Sequence, residues 1–366
     1  MRKTAATIAL FAVLTGTAQA TEPLHLPTPA GRFPVGTTEI LMVDHSRPDP
    51  WDQERKCPDG QKCRKVMTTV YYPARDVEHS PLAPYMGAGA AAVFGSLDAM
   101  LHKLPGGVDW AATTTAAHTG APARPGRRPV LLYSPGLGDP RVLGTGLATD
   151  LASRGYVVVT IDHPGETSEV DIPGEGTRII GLPGDPSSDP GVYRTAIDTR
   201  LRDTKFVLAQ LPKVLPFPVD LRRVGMYGHG LGGTTAAEAL HDRIVDAAVN
   251  MDGFLDYHPT APGRPGELLP IAAEGTNRPL LLWGSEGFRN PRNDRSWAAT
   301  LAHSRGCTTR EELTGAAHWT FTDYGALAPQ LAMSAEDRTA LIGSIDPTVS
   351  VPTVRTRIAR FFTQHL

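Results

Sequence analysis

Gly228-His229-Gly230-Leu231-Gly232-Gly233 stands between a short apolar run at 223–227 (RVGMY) and a helix-forming stretch at 231–239 (LGGTTAAEA). A strand, a glycine turn and a helix in that order admit two chemistries. Gly228, Gly230 and Gly233 satisfy G-x-G-x-x-G, in which glycine permits the tight turn, the close approach of a pyrophosphate and the packing of helix on strand. Asp252 falls about where the ribose-binding acid of such a dinucleotide site belongs. The same residues also fit the nucleophile elbow G-x-S-x-G, with Gly230 where serine would stand. An elbow needs small residues at its ends, and its central residue is held in a strained conformation that lifts the side chain above the sheet.

The surroundings favour the elbow. A dinucleotide motif normally opens its domain, yet strands are predicted upstream at 129–134 (PVLLYS) and 156–162 (YVVVTID). The first runs into Ser134-Pro135-Gly136-Leu137-Gly138-Asp139, where an α/β-hydrolase places a backbone N–H of its oxyanion hole. Downstream, a strand over 244–251 ends in Asn250-Met251-Asp252-Gly253, and Gly315-Ala316-Ala317-His318-Trp319 supplies a late histidine. Singly, Asp252 suits a helix N-cap and His318 a packed core. Their order after the elbow is that of an α/β-hydrolase acid and base. Short apolar strands alternating with helices, including 143–154, 193–211 and 351–366, predict an α/β-hydrolase fold: a mostly parallel sheet covered by helices on both faces.

Composition agrees with a globular enzyme-sized domain. The chain has 366 residues, 36 Lys+Arg against 38 Asp+Glu, and 41% apolar residues. That balance excludes a nucleic-acid binder working by bulk basic charge and an acidic disordered chain. Residues 1–20, with Arg2 and Lys3 before an apolar stretch and Ala18-Gln19-Ala20 at the end, read as a secretory leader cleaved after Ala20. The exported protein has no further apolar run long enough to cross a membrane. Export permits disulfides: Cys57 and Cys63 flank a turn-rich loop and are expected to pair, leaving Cys307 as a buried free thiol. No zinc-type cysteine spacing occurs, so no metal or other cofactor is expected. Residues 21–65 read as an irregular N-terminal extension whose basic cluster (Arg55, Lys56, Lys62, Arg64, Lys65) is a solvated face. A single domain is expected over 66–366. Within it, 85–127 is an insertion over one end of the sheet and part of the wall of the site, and 166–192 is a surface excursion.

Six segments together resemble those of bacterial secreted relatives of the platelet-activating-factor acetylhydrolases, which are α/β-hydrolases, and more loosely the actinomycete polyester hydrolases. They are YYPA (71–74), YSPGLGD (133–139), YVVVTIDHPGE (156–166), YGHGLGGTTA (227–236), NMDG (250–253) and GAAHWTFTDY (315–324). The resemblance implies hydrolysis of short acyl or lipid-like esters. Asp252 then matches the acid, His318 the base, and Leu137 and Leu231 the donors of the oxyanion hole. Gly230 departs from the family's serine, so hydrolysis is expected to be weak or absent. Losing such a nucleophile costs about 10⁶-fold in turnover in a subtilisin-type site. Four readings of Gly230 stand open: a ligand-binding pseudoenzyme, a side chain replaced to trap substrate, chemistry without a covalent intermediate, and the dinucleotide motif.

Overall fold

The computed structural model describes residues 23–54, 56–57, 59–259 and 264–366. The expected leader and Arg55 lie outside them. The described strands are β1 (Val35–Asp44), β2 (Arg64–Pro73), β3 (Leu82–Pro84), β4 (Thr114–Thr119), β5 (Arg128–Ser134), β6 (Val157–Asp162), β7 (Glu169–Ile172), β8 (Gly176–Ile179), β9 (Val219–His229), β10 (Ala247–Met251), β11 (Leu280–Ser285) and β12 (Thr308–Leu313). One ten-stranded sheet runs β12-β11-β10-β9-β5-β6-β2-β1-β4-β3, while β7 and β8 form a separate hairpin. From β12 to β6 every neighbour is parallel, and β2 and β1 continue the sheet antiparallel.

Parallel neighbours need crossover connections, and these supply the helices that bury both faces. Side chains therefore alternate between two cores. On β5, Val130 and Leu132 enter the core beneath helices Pro190–Val214, Leu231–His241 and Pro291–His303. Leu131 and Tyr133 enter the opposite core beneath Thr145–Ser153 and Pro347–His365. A third cluster sets Phe94 and Trp110 of the 85–127 segment against Tyr324.

Five expectations need correction. The segment 21–65 is not simply irregular: β1 pairs with β2 over ten residues and is part of the main sheet. Arg64 and Lys65 are not a solvated face. Arg64 is fully buried between Asp49 and Asp203, and Lys65 is paired with Glu175. The 166–192 excursion begins inside the protein, because Glu166, Thr167, Ser168 and Glu169 are all buried. Strand β12 and helix Pro291–His303 add elements that the apolar pattern did not announce. Cys57 and Cys63 are disulfide-bonded across 5.9 Å between Cα atoms, whereas Cys307 is free but exposed. Among the described residues no helix is long and apolar enough to cross a membrane.

Two buried carboxyls tie stability to pH. Burial pushes Glu238, whose Oε1 accepts the Ile271 N–H at 3.0 Å, up to about 7. It does the same to Asp323, which accepts the Gly146 N–H at 2.9 Å. The folded chain therefore holds protons that the unfolded chain has released. Their contribution to stability is complete below about pH 4 and is lost as pH rises through about 7. Glu238→Gln keeps an acceptor for Ile271 without the charge. Its melting temperature should fall less than the parent's between pH 5 and pH 8, with a gain at pH 8 on the order of 1–3 kcal/mol. Calorimetric scans at the two pH values check this, and parallel declines would refute it.

Candidate active site

Strand β9 ends at His229, and helix Leu231–His241 begins immediately after Gly230, whose φ of 53° and ψ of −123° make the turn. The four glycines of this turn differ in what a side chain would meet. A Cβ on Gly228 would lie 2.2 Å from the Gly232 carbonyl carbon, one on Gly232 1.9 Å from the Ser134 oxygen, and one on Gly233 2.4 Å from the Asn250 side chain. Backbone packing forces glycine at Gly228 and Gly232. At Gly230 the nearest atoms to a Cβ are the Gly136 Cα and His318 Nε2, both at 3.6 Å, an ordinary contact distance. Gly230 is thus glycine without steric compulsion, in backbone geometry that carries side chains only under strain.

Parallel pairing sets Met251 beside His229, so Asp252 emerges from β10 at the level of Gly230. Asp252 itself has φ 58°. Its carboxylate accepts the Ser285 N–H at 2.8 Å and the Ser285 hydroxyl at 2.6 Å, and lies 3.1 Å from His318 Nδ1. His318 Nδ1–H therefore donates to Asp252, and Nε2 faces the space over Gly230. The ring is stacked on Phe288 with centroids 3.9 Å apart and rests against His229 at 4.1 Å. His229 Nε2 donates to the His318 carbonyl at 3.0 Å, fixing that turn. Burial, then the neighbouring His229, holds the His318 imidazole below its ordinary range despite Asp252. It is neutral at pH 7 and available as a base.

Two N–H groups point at the same place, for reasons visible in their peptides. Arg200 is buried, pairs with Glu166 at 2.6 Å, and donates to the carbonyls of Pro135 at 2.6 Å and Gly136 at 3.1 Å. In a trans peptide C=O and N–H are antiparallel. Turning the Gly136 carbonyl toward Arg200 therefore turns the Leu137 N–H away from it, toward the cleft. Likewise the Gly230 carbonyl accepts from Gly233 and Thr234 inside the helix, so the Leu231 N–H points out of the helix start. Among the described residues neither N–H has a protein acceptor.

The structure thus brings Gly230, Asp252, His318, Leu137 and Leu231 to one cavity of about 300 Å³. Its apolar walls are Leu137, Tyr193, Phe254, Phe288 and Trp319, with Asp185 and His258 also exposed to it. No residue of 85–127 lines it, contrary to expectation. From that insertion, His102 packs edge-on against Trp319 of the wall, with ring centroids 4.4 Å apart. A larger cavity of about 560 Å³ at the other end of helix Leu231–His241 contains none of these groups. No cluster of three metal-binding side chains occurs among the described residues.

Sequence reading missed Ser285, Arg200 and a second serine–histidine–aspartate arrangement. Ser134 Oγ lies 3.0 Å from His163 Nε2, and His163 Nδ1 lies 2.8 Å from Asp203. All three residues are fully buried and Arg200 also donates to Ser134 Oγ, at 3.2 Å. They anchor the loop from beneath and offer no nucleophile to the cleft. The only hint in the sequence was the DHPGE segment at 162–166.

The family model for platelet-activating factor acetylhydrolase, isoform II, matches residues 18–170. A probable 1-alkyl-2-acetylglycerophosphocholine esterase of Arthroderma benhamiae is 27% identical, over 92% of this chain and 87% of its own length. The platelet-activating factor acetylhydrolase of Bos taurus is 23% identical over 93% of this chain and 77% of its own. Among solved structures, a ferulic acid esterase from Streptomyces cinnamoneus superposes with a TM-score of 0.75 at 31% identity, covering 94% of each chain.

The opposed influences on His318 yield a test. In an NMR titration its imidazole should titrate below the ordinary histidine value of ~6.5, and Asp252→Asn should shift it lower still by removing the charge that favours the protonated ring. A parent value above 7, or an upward shift in the variant, would contradict this geometry.

Proposed function

The chain is an α/β-hydrolase of the platelet-activating-factor acetylhydrolase type, and from that premise we propose that its cleft receives a carboxylic ester with the reacting carbonyl above Gly230. His318 is the base, Asp252 holds its tautomer, and the Leu137 and Leu231 N–H groups stabilise the oxyanion. Gly230 occupies the nucleophile position, so hydrolysis by the chain itself is weak or absent. The observation that carries this reading is the 3.6 Å between a Cβ built on Gly230 and His318 Nε2, in a turn where Gly228 and Gly232 tolerate no side chain. A dinucleotide site would use the glycines for phosphate approach, but here the motif follows six strands of the main sheet and faces an imidazole.

The cavity's size and apolar walls suit a short acyl or lipid-like ester. The four aromatic rings among them also favour a flat aromatic acyl group such as that named for the Streptomyces relative. Export rests on the leader-like first twenty residues and on the Cys57–Cys63 disulfide.

Gly230→Ser tests the assignment. With acid, base and oxyanion donors in place, hydrolysis of p-nitrophenyl esters should rise by several orders of magnitude, toward ~10⁶-fold. A Cβ at φ 53° is strained by on the order of 1–3 kcal/mol. The variant should therefore melt a few degrees lower. Unchanged activity together with unchanged stability would remove Gly230 from the nucleophile position.

A further inference from the structure

We infer that Arg32, Arg124 and Arg128, gathered around the ring of Phe33, form a binding site for a phosphate or sulfate group. Their guanidinium carbons lie 4.7, 5.0 and 5.1 Å from the ring centroid. A ring has two faces, so at least two of the three cations share one. Separate segments build the cluster: the approach to β1, the turn before β5, and the first residue of β5 itself. Each is fixed through its backbone. Phe33 N–H donates to the Ser153 carbonyl at 3.0 Å, and Arg124 N–H donates to the Pro73 carbonyl at 2.8 Å. Arg128 pairs with Val219 at the start of the β5–β9 ladder.

Like charges so held repel one another unless a counterion sits among them. The protein supplies none: among the described residues no carboxylate is within ion-pair distance of Arg32, Arg124 or Arg128. The acids nearest along the chain are committed elsewhere, Asp150 to Arg154 and the Ala30 N–H, Asp76 to Arg75. The buried arginines of the interior are treated differently, since Arg64, Arg141 and Arg200 each face a carboxylate. Half-buried Arg128 shows the imbalance. Burial, then Arg124 and Arg32, hold its guanidinium below its ordinary range, and its Nε–H is buried without an acceptor. Phe33 attracts each cation through its π face but adds no negative charge.

The partner that completes the cluster is an oxyanion. A guanidinium presents paired N–H donors that match two oxygens of a phosphate or sulfate. A tetrahedral dianion directs its oxygens to more than one cation at once, whereas a carboxylate offers a single edge. The site is also remote from the cleft. Strand β5 runs from Arg128 to Ser134, about 20 Å, and the cleft opens beyond the Ser134 end. An anion held at Arg128 therefore leaves the ester site untouched, and a lipid surface engaged there would face away from the cleft. The ligand is accordingly a soluble molecule that carries the group, or the free ion.

Calorimetric titration of the unaltered chain with inorganic phosphate, and separately with sulfate, tests the site at a fixed ionic strength of about 0.1 M set with sodium chloride. The expected result is saturable binding of one ion per chain. Arg32→Gln, Arg124→Gln and Arg128→Gln should each weaken it by about tenfold, the loss of one charged donor. Arg202→Gln, at an exposed arginine of helix Pro190–Val214, should leave it unchanged. Arg32 and Arg124 are exposed, so their variants should melt with the parent in phosphate-free buffer and report on binding alone. Sedimentation with phosphatidylglycerol vesicles separates a lipid headgroup from a soluble ion. Binding to the vesicles without binding of either free ion would overturn the proposal and make the cluster a membrane contact. No saturable binding of phosphate or sulfate, or binding that survives all three substitutions, would overturn it as well.

Discussion

The buried Arg200 guanidinium determines where the loop at 135–138 points. It has no solvent to hydrogen-bond, so its donors go to Glu166, Ser134 and the Pro135 and Gly136 carbonyls. Peptide planarity converts the Gly136 contact into the direction of the Leu137 N–H. The loop is further tied by Gly138 N–H to the Glu166 carbonyl at 2.9 Å. Beneath it, Arg64, Asp203, His163 and Ser134 form a continuous buried chain of ion pairs and hydrogen bonds. Buried charges are tolerated only when paired and fully hydrogen-bonded, and breaking one pair costs about 3–5 kcal/mol. Such a foundation resists displacement, which is what a site built from backbone dipoles needs, since its donors cannot adjust by rotating a side chain.

On that foundation Gly230 leaves the space before His318 Nε2 without a side chain. Asp252 is still gripped by Ser285, His318 is still sandwiched between Phe288 and His229, and both amide donors face the cleft. The backbone at Gly230 holds φ 53° and ψ −123°, although glycine has many other conformations open to it.

Much of this was legible in the chain because it is local. The strand-glycine-helix turn, the acid at a strand end and the late histidine each sit within a few residues of a recognisable signal. What was not legible depends on distant partners. Arg64 reads as one more surface cation until Asp203, 139 residues away, closes on it. Ser285 lies at the end of an ordinary apolar strand, and nothing beside it announces Asp252. Strand β1 escaped notice because VGTTEILMVD follows a Pro-rich stretch and exposes part of one face. Strand β12 (TTREEL) is a polar sheet edge, where charges guard against further pairing. The segment 85–127 lines none of the cavity. The wall comes instead from separate segments around Leu137, Tyr193, Phe254, Phe288 and Trp319.

The central claim is one of convergence: acid, base and two amide donors meet at a single ester carbonyl above Gly230. A crystal structure of the unaltered chain with an intact short-chain ester tests it most directly, since the absence of a serine hydroxyl lets the ester persist. The account predicts the carbonyl oxygen within about 3 Å of both the Leu137 and Leu231 nitrogens, with the carbonyl carbon on the His318 Nε2 side of Gly230. An ester bound elsewhere, or one whose carbonyl faces away from those two N–H groups, would contradict it.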